Sequence, residues 1–131
     1  MTAKNILTVI VLTIIFLLIT IIATILHVPS KEKELTFDLL DYDHILEEIT
    51  DDRNVGTVPT KDVAIEKARM LWEEDFSSHM YKFNDSPIVV AYDSQNKCWR
   101  INGTLPNNNT LGAVPCALIK ENGEVLAVWM G

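Results

Sequence analysis

An uninterrupted apolar run near the N-terminus constrains this chain more than any other feature. Residues 6–26 carry no charge, no Gly and no Pro over 21 positions. At 1.5 Å per residue, a helix of this length spans roughly 30 Å, the thickness of the hydrocarbon core of a bilayer. A core helix that is apolar on every side would need a large protein around it. The run therefore predicts one transmembrane helix, within an N-terminal tail and anchor comprising residues 1–30.

The run does not match a cleaved signal peptide, whose apolar core is about 7 to 15 residues long and is followed by small residues. The only small residue that could precede a cleavage site is Ala23, and the second small residue that cleavage needs, two places before it, is replaced by Ile21. No Cys that could carry a lipid lies near the end of the run. Lys4 lies on one side and two Lys residues lie on the other, so the positive-inside rule gives no clear orientation. Because a short N-terminal tail commonly stays inside, we expect the C-terminal domain on the outer face.

The rest of the chain is one small acidic domain. About 100 residues follow the anchor, which is enough for a single fold with its own core. From Lys31 to Gly131 there are 10 Lys and Arg residues and 18 Asp and Glu residues. Nucleic-acid-binding domains are usually basic, so this balance argues against a nucleic-acid partner. The sequence does not indicate an oligomeric state.

The negative charge is concentrated beside the membrane. Residues 32–52 contain nine acidic residues and one Lys, whereas residues 53–131 contain nine acidic and eight basic residues. A helix over about 37–49, with Thr36 as its N-cap, is predicted by the helical spacing of Leu39, Tyr42, Leu46 and Ile49. We treat residues 31–59 as an acidic juxtamembrane helix and linker. Its carboxylates form either a solvated helix face or a surface for a basic partner; the candidate contact residues are Asp38, Asp41, Glu47 and Glu48.

The remaining residues predict a second helix followed by strands. Thr60 can cap this helix, and its apolar stripe, which includes Trp72, recurs every 3.6 residues for about four turns. Beyond Pro87, β-branched and aromatic runs broken by turn residues predict four strands, at about 88–93, 97–104, 113–120 and 124–129. A loop over Leu105–Gly112 joins the middle pair, and Asn122-Gly123 suits a tight hairpin turn. The expected fold class is α+β, with two helices packed on a four-stranded antiparallel sheet.

Few residues in this chain have the spacing that catalysis or metal binding requires. Cys98 and Cys116 lie on predicted adjacent strands and form either a cross-strand disulfide, in a register centred near Asn107, or two separate buried thiols. The sequence has no clustered Cys or His ligands, no nucleophile elbow and no phosphate-binding glycine motif. We therefore expect no metal, no cofactor and no enzymatic activity. If the domain were an enzyme, Tyr92 and Asp93 would be the available acid and base groups.

One segment carries a family resemblance. The helix DVAIEKARMLW is followed by SPIVVAYD, KCWRINGTLP and LGAVPCALIKENGEVLAVWMG. In this order of features, residues 61–131 resemble the bacterial immunity proteins with a nuclear transport factor 2-like fold, which are found beside polymorphic toxin genes. The resemblance implies a nuclear transport factor 2-like immunity domain over residues 60–131. The residues that carry its motif are Trp99, Gly103, Thr104, Leu105, Pro106, Gly112 and Gly123.

The same motif residues also have a structural explanation. Gly103 within a strand indicates a bulge or a close backbone approach, and Pro106 ends a ladder because it has no N–H to donate. Trp99 and Ile101 alternate onto one face, which would pack on the Trp72 helix. The motif residues therefore need no active site to account for them.

The resemblance implies a protein that binds and neutralises a toxin. Together with the apolar run it predicts a membrane-anchored immunity protein, and the acidic segment would suit a basic toxin domain. An alternative is a PepSY-like envelope domain, a similar module of helix and hairpins that modulates a peptidase or another membrane protein. The identity of the neighbouring genes would discriminate between these two hypotheses. A small hydratase or isomerase using Tyr92 or Asp93 is a third hypothesis.

Overall fold

The computed structural model of the chain describes residues 2–26, 34–106 and 111–131. The chain divides into two compact units, residues 1–33 and 34–131. The first unit contains the helix α1, Ala3–Leu26, whose apolar stretch extends over Ala3–Ala23. This helix is long and apolar enough to cross a membrane.

The second unit is built on one mixed sheet of five strands in the order β1-β2-β3-β4-β5. The four strands predicted from the sequence are present as β2 to β5, each within about two residues of its expected bounds. Neighbouring strands from β2 to β5 are antiparallel. The strands are β1 Leu35–Thr36, β2 Val89–Asp93, β3 Cys98–Asn102, β4 Pro115–Lys120 and β5 Val125–Met130.

The prediction of a four-stranded, purely antiparallel sheet was wrong. The fifth strand, β1, lies parallel to β2 and pairs Leu35 with Ala91 and Thr36 with Tyr92. Two residues are too few to produce a recognisable period of two in a sequence, and the segment also carries the charge of a solvated surface. Lys31, Lys33 and the residues between them, which belong to the predicted juxtamembrane segment, lie outside the described residues.

The predicted helix over 37–49 is split and begins later than expected. A 3₁₀ turn over Leu39–Tyr42 leads into the short helix α2, Asp43–Glu48. The N-cap of the 3₁₀ turn is Asp38, whose side chain accepts a hydrogen bond from the Leu40 N–H. The predicted cap, Thr36, belongs to β1 instead. Asp38 is capable of capping because a carboxylate satisfies an unpaired backbone donor and also favours the positive end of the turn.

The second predicted helix is confirmed. Helix α3 spans Lys61–Phe76, and the Thr60 hydroxyl accepts a hydrogen bond from the Val63 N–H. Its buried residues are Ala64, Ala68, Leu71 and Trp72, which pack against one face of the sheet. Trp99 and Ile101 of β3 lie on that same face, as their alternation predicted.

The opposite face of the sheet is also covered, so the unit has three layers rather than two. A second core forms there around Cys98, Leu118 and Ala127. The 3₁₀ turn and α2 cover this face through Leu39, Tyr42, Ile45 and Leu46. Because both faces are covered, β4 is buried at five of its six positions and reads as a continuous apolar run rather than an alternating one.

The predicted Asn122-Gly123 turn joins β4 to β5, and of these two residues only the glycine has a positive φ. Gly123 has φ +94°, in the left-handed region that favours glycine. A Cβ atom at Gly123 would also lie 2.4 Å from the backbone oxygen of Gly56. The segment Arg53–Val55 passes over this turn, with the Val55 N–H donating to the Gly123 carbonyl over 2.9 Å. Glycine is thus required both for the turn and for the close approach of a second chain segment.

The two cysteines are buried, free thiols that do not face each other. In the observed register Cys98 pairs with Lys120 and Cys116 pairs with Asn102. The centre of a hairpin is the mean of two paired residue numbers. In the observed register it is residue 109, whereas a disulfide between Cys98 and Cys116 would require a centre at Asn107. Four residues of strand, about 13 Å, separate the two positions. Burial raises the pKa of Cys98 to about 12 and that of Cys116 to about 11, so both thiols are protonated at neutral pH.

Candidate functional site

The carboxylates predicted to meet a partner are all exposed to solvent. Asp38 precedes the 3₁₀ turn, Asp41 lies within it, and the remaining members lie on α2; all are exposed. Residues 34–52 contain no Lys or Arg. Within the described part of the chain, none of these carboxylates has an ion pair. We call this set the acidic surface: Asp38, Asp41, Asp43, Glu47 and Glu48.

An apolar side chain lies within the acidic surface. Leu40, between Asp38 and Asp41, is 67% exposed. Single exposed leucines are common on proteins, but here the leucine is framed by two carboxylates on the same short turn. The acidic surface can therefore offer both charge and a small apolar contact to a partner.

The acidic surface is attached to the sheet by a buried carboxylate. One oxygen of Asp93, at the end of β2, accepts hydrogen bonds from the Leu39 N–H at 2.9 Å and from the Asn96 amide at 2.7 Å. Its other oxygen accepts from the N–H groups of Gln95 and Asn96. Asp93 thus joins the turn after β2 to the first residue of the 3₁₀ turn. The four donors account for every hydrogen bond that this ionised group needs.

The pKa of Asp93 reflects these contacts. Burial of the carboxylate disfavours its charge, but the Asn96 side chain and the three backbone N–H groups favour it more strongly. The pKa of Asp93 is therefore held below its ordinary value, and the group is ionised at neutral pH.

A cluster of aromatic residues around Arg100 makes a second attachment. Arg100 of β3 donates from Nη1 to the Tyr42 hydroxyl at 3.0 Å, and its guanidinium lies 5.4 Å from the centre of the Phe37 ring. Tyr42 in turn contacts Phe37 and Trp129, with ring centres 5.9 Å and 6.2 Å apart. Cation–π contact and ring packing together fix the 3₁₀ turn against the sheet.

The acidic surface ends at a paired arginine. Arg53 forms two-pronged hydrogen bonds with both Asp51 and Asp75, the shortest of them 2.6 Å and 2.8 Å. Hydrogen bonding from Arg53 lowers the pKa of Asp51, and the two carboxylates raise that of Arg53. Asp51 is therefore neutralised locally, unlike the five carboxylates of the acidic surface, and this pair connects the segment after α2 to the end of α3.

Tyr92 and Asp93 do not converge on one substrate. As neighbours on β2 they point to opposite faces of the sheet, with Tyr92 against the Trp99 ring and Asp93 under the 3₁₀ turn. The Tyr92 hydroxyl donates to Glu121 at 2.5 Å, and this bond raises the pKa of Tyr92 to about 12. The two side chains therefore cannot act together as an acid and base pair on one substrate atom.

The motif residues of the family resemblance have mainly structural contacts. The Gly103 N–H donates to the Pro115 carbonyl at 2.8 Å, and a Cβ atom at Gly103 would lie 2.8 Å from the Pro115 ring. The Thr104 hydroxyl donates to the Pro87 carbonyl at 2.7 Å. The predicted close approach at Gly103 is confirmed. β3 ends at Asn102, four residues before Pro106, so Pro106 is not the residue that terminates the ladder.

A shallow cleft of about 260 Å³ brings three of the motif residues together, with His79 and Lys82 at its rim. Residues 107–110 of the predicted loop lie outside the described residues. Within the ranges that are described, no group of three or more His, Cys, Asp or Glu residues is placed to hold a metal ion. The motif residues lining the cleft are Leu105, Pro106 and Gly112.

Sequence reasoning identified the exposed carboxylates but missed the residues that hold them in place. Asp38, Asp41, Glu47 and Glu48 stand out because charge is visible in a sequence. Arg100 and Tyr42 are 58 residues apart, and Asp93 and Leu39 are 54 apart. The one available signal was the arginine between Trp99 and Ile101 in β3, because a charge in a largely buried strand needs a partner.

No family model, no curated protein and no solved structure matches this chain. The functional interpretation therefore depends on the geometry and charge of the described residues, together with the sequence resemblance.

Proposed function

We propose that this protein is a membrane-anchored immunity protein, which binds a toxin protein through the acidic surface and neutralises it without catalysis. The observation that carries this proposal is a set of five exposed carboxylates, which make no ion pair among the described residues, on a segment attached to the sheet at both Asp93 and Arg100. The motif over residues 61–131, with its resemblance to immunity proteins of nuclear transport factor 2-like fold, supports the choice of a toxin as the partner.

The attachment matters because a binding surface that is already ordered loses little conformational entropy on association. The 3₁₀ turn and α2 together span only ten residues and would not hold a helix in isolation. Their order comes from the second core and from the Asp93 and Arg100 contacts. Concentrated charge on such a surface attracts a basic partner before contact and accelerates association.

A PepSY-like envelope domain that modulates a peptidase or another membrane protein is the alternative. It would use the same anchor and domain but would require no toxin. Coexpression with the protein encoded by the neighbouring gene tests the choice. Rescue of growth by this chain supports the immunity function, and a neighbouring gene that encodes a peptidase or its partner would favour the alternative.

The apolar helix α1 carries a prediction about localisation. If it is an uncleaved single span, the full chain should remain in the membrane fraction after carbonate extraction, whereas a fragment starting at Glu34 should be soluble. Release of the full chain by high salt alone would contradict the spanning helix. Digestion of a C-terminal tag by protease added to intact cells with a permeabilised outer envelope would place the domain on the outer face, and protection of the tag would place it inside.

The acidic surface carries a prediction about binding. Changing Asp41, Glu47 and Glu48 together to Ser should slow association with the cognate toxin by roughly tenfold at low salt, with a smaller effect on dissociation. The salt dependence should also become flatter, because fewer charges are available for screening over a Debye length of about 8 Å at physiological ionic strength. Stopped-flow or surface-plasmon measurements at several salt concentrations would provide both rates.

The matched control removes three exposed carboxylates elsewhere, by changing Glu66, Glu73 and Asp85 to Ser. This variant has the same net charge as the first but retains the acidic surface. Equal slowing in both variants would indicate a general charge effect. Unchanged association in the first variant would mean that the acidic surface is only solvated, and the contact would then lie on another part of the domain.

A further inference from the structure

Among the described residues, the last strand of the sheet has one side along which no other strand of the sheet pairs. β5 lies at the end of the order β1-β2-β3-β4-β5, and only β4 pairs with it along its length. Strands at a sheet edge present a row of backbone N–H and C=O groups that can accept a further strand. The direction of each group in β5 decides which of them are available.

The register identifies the outward-facing groups. Val114 and Gly131 exchange both backbone hydrogen bonds, at 2.8 Å and 2.9 Å, so these residues point towards each other. Inward and outward pairs alternate along an antiparallel ladder, which places the N–H and C=O groups of Met130 and Val128 on the outer side. The partner of Met130 is Pro115, which has no N–H to donate and fits a non-bonded position.

A short segment of the chain already covers the beginning of this edge. The backbone carbonyl of Arg53 accepts a hydrogen bond from the Val125 N–H at 3.0 Å, and the isolated bridge between Asn54 and Glu124 is antiparallel. The coverage stops there because Asp51 turns back to bind the N–H and side chain of Arg53. In the described chain, no backbone hydrogen bond reaches the outer side of Val128 or Met130.

The uncovered part of β5 lacks the features that usually prevent strand addition. It contains no Lys and no Pro, and the bulge in the ladder lies at Leu118/Ile119, opposite the beginning of β5. Its side chains are apolar on both faces: Val128 and Met130 belong to the first core, and Ala127 and Trp129 to the second. An edge strand whose outward backbone groups have no partner among the described residues is a site for pairing with another strand.

The charge beside this edge indicates what would occupy it. Helix α2 packs against β5, and its Glu47 and Glu48 are exposed. A strand added next to β5 would therefore lie beside the acidic surface. A second copy of this chain would bring its own acidic surface to the same place, where like charges repel. An extended segment with Lys or Arg at alternate positions would instead be attracted.

We propose that the Ala127–Met130 edge of β5 accepts an extended, basic segment of a partner protein as a sixth strand of the sheet. The backbone groups of Val128 and Met130 would hold the segment, and the acidic surface would select its alternating basic side chains. This inference deepens the proposed function, on which it rests for the identity of the partner as a toxin.

A synthetic strand provides the test. The probe is an end-blocked hexapeptide of alternating Lys and Val, added to the full chain in micelles of a neutral detergent. At a concentration about ten times its Kd, exchange of the Val128 and Met130 amide hydrogens should slow by about tenfold, because only the unbound fraction exchanges. The same peptide methylated at alternate backbone nitrogens should not protect them, and one with Glu in place of Lys should bind at least about tenfold more weakly.

A substitution in the edge completes the test. Met130→Pro removes an outward N–H without removing a ladder bond to β4, so it should weaken peptide binding by about tenfold or more while the domain stays folded. Met130→Leu retains the N–H and should bind like the original chain. If both variants bind equally well, or if the peptide protects no amide in β5, the proposed strand addition is wrong.

Two further outcomes separate this inference from the proposed function. Protection of Val128 and Met130 without peptide, in a dimer that forms at increasing protein concentration, would identify a second copy as the occupant and overturn the inference. In the variant with Asp41, Glu47 and Glu48 changed to Ser, retained amide protection with an unchanged preference for the Lys peptide over the Glu peptide would support the edge and reject the role of the acidic surface. Loss of toxin association in that variant alone, with normal association in Met130→Pro, would reject the edge and retain the proposed function.

Discussion

Replacing Trp72 by Ala should destabilise the unit over residues 34–131 by about 3 to 5 kcal/mol, because the change empties a large part of the first core. The Trp72 side chain is 1% exposed and lies between α3 and the sheet. Its Nε1 also donates to the Cys116 carbonyl at 3.1 Å, and this buried acceptor would lose its side-chain partner. Trp99→Ala should have an effect of similar size, because the Nε1 of Trp99 likewise donates to a backbone carbonyl, that of Val58, at 2.9 Å.

Thermal or urea melts of the fragment 34–131 would measure these losses. A destabilisation of this size corresponds to a decrease in Tm of more than about 10 °C for a domain of this length. Trp72→Phe is the control, because it retains most of the ring volume and removes the indole N–H. We expect it to be less damaging than Trp72→Ala. An unchanged Tm in Trp99→Ala would show that Trp99 contributes little to the stability of the core. A ligand-binding role for this residue would then be worth testing.

Helix α3 could be predicted because it obeys a local rule. Its apolar residues recur every 3.6 positions over 16 residues, and Thr60 and Asp62 mark its start. β2 to β5 were recognisable for a similar reason, since turn residues separate runs of β-branched and aromatic side chains. Each of these elements is defined by residues that are close together in the sequence.

The juxtamembrane segment could not be predicted in the same way. Leu39, Tyr42, Leu46 and Ile49 do face the sheet, as their spacing indicated, but over a 3₁₀ turn and six residues of helix rather than one continuous helix. The break depends on Asp38 as a cap and on β1 pairing with β2, more than 50 positions later in the chain. Long-range pairing of a two-residue strand leaves no periodic signal.

The candidate site shows the same division between local and distant information. The exposed carboxylates follow from composition, because residues 34–52 contain eight Asp and Glu residues and no Lys or Arg, and carboxylates without a partner are almost never fully buried. The cysteines show the opposite case, because a shift of two positions in the hairpin centre decides whether Cys98 and Cys116 face each other. Their separation also removes any inference from disulfide formation about the compartment in which the domain lies.

Asp93→Ala should lower the free energy of unfolding by about 3 kcal/mol, because four donors that bind one buried carboxylate would lose their acceptor. Asp93 is 5% exposed, and its partners are the N–H groups of Leu39, Gln95 and Asn96 and the Asn96 amide. The loss should concentrate in the covering segment, because Leu39 is the first residue of the 3₁₀ turn. Amide exchange at Leu39 should therefore accelerate more than at β3 or β4.

Asp93→Asn is the matched control, since it retains the shape of the side chain and one acceptor oxygen. Its new amide nitrogen would face two of the donors, so we expect an intermediate loss of stability. The same contacts give a pH dependence of known sign. The folded-state pKa of Asp93 lies below its unfolded value, so its contribution is present above about pH 4 and is lost as pH falls through the folded pKa. Asp93→Asn should lack this part of the acid sensitivity.

Urea unfolding of both variants and of the original chain between pH 2.5 and pH 7 would give the free energies of unfolding that test this prediction. If Asp93→Ala unfolds normally and Leu39 exchanges at its original rate, the acidic surface is not held through Asp93. In that case Arg100, Tyr42 and the aromatic rings around them would have to position it. If the variant is destabilised as expected, its association with the partner should also slow, because the acidic surface would then have to become ordered during binding.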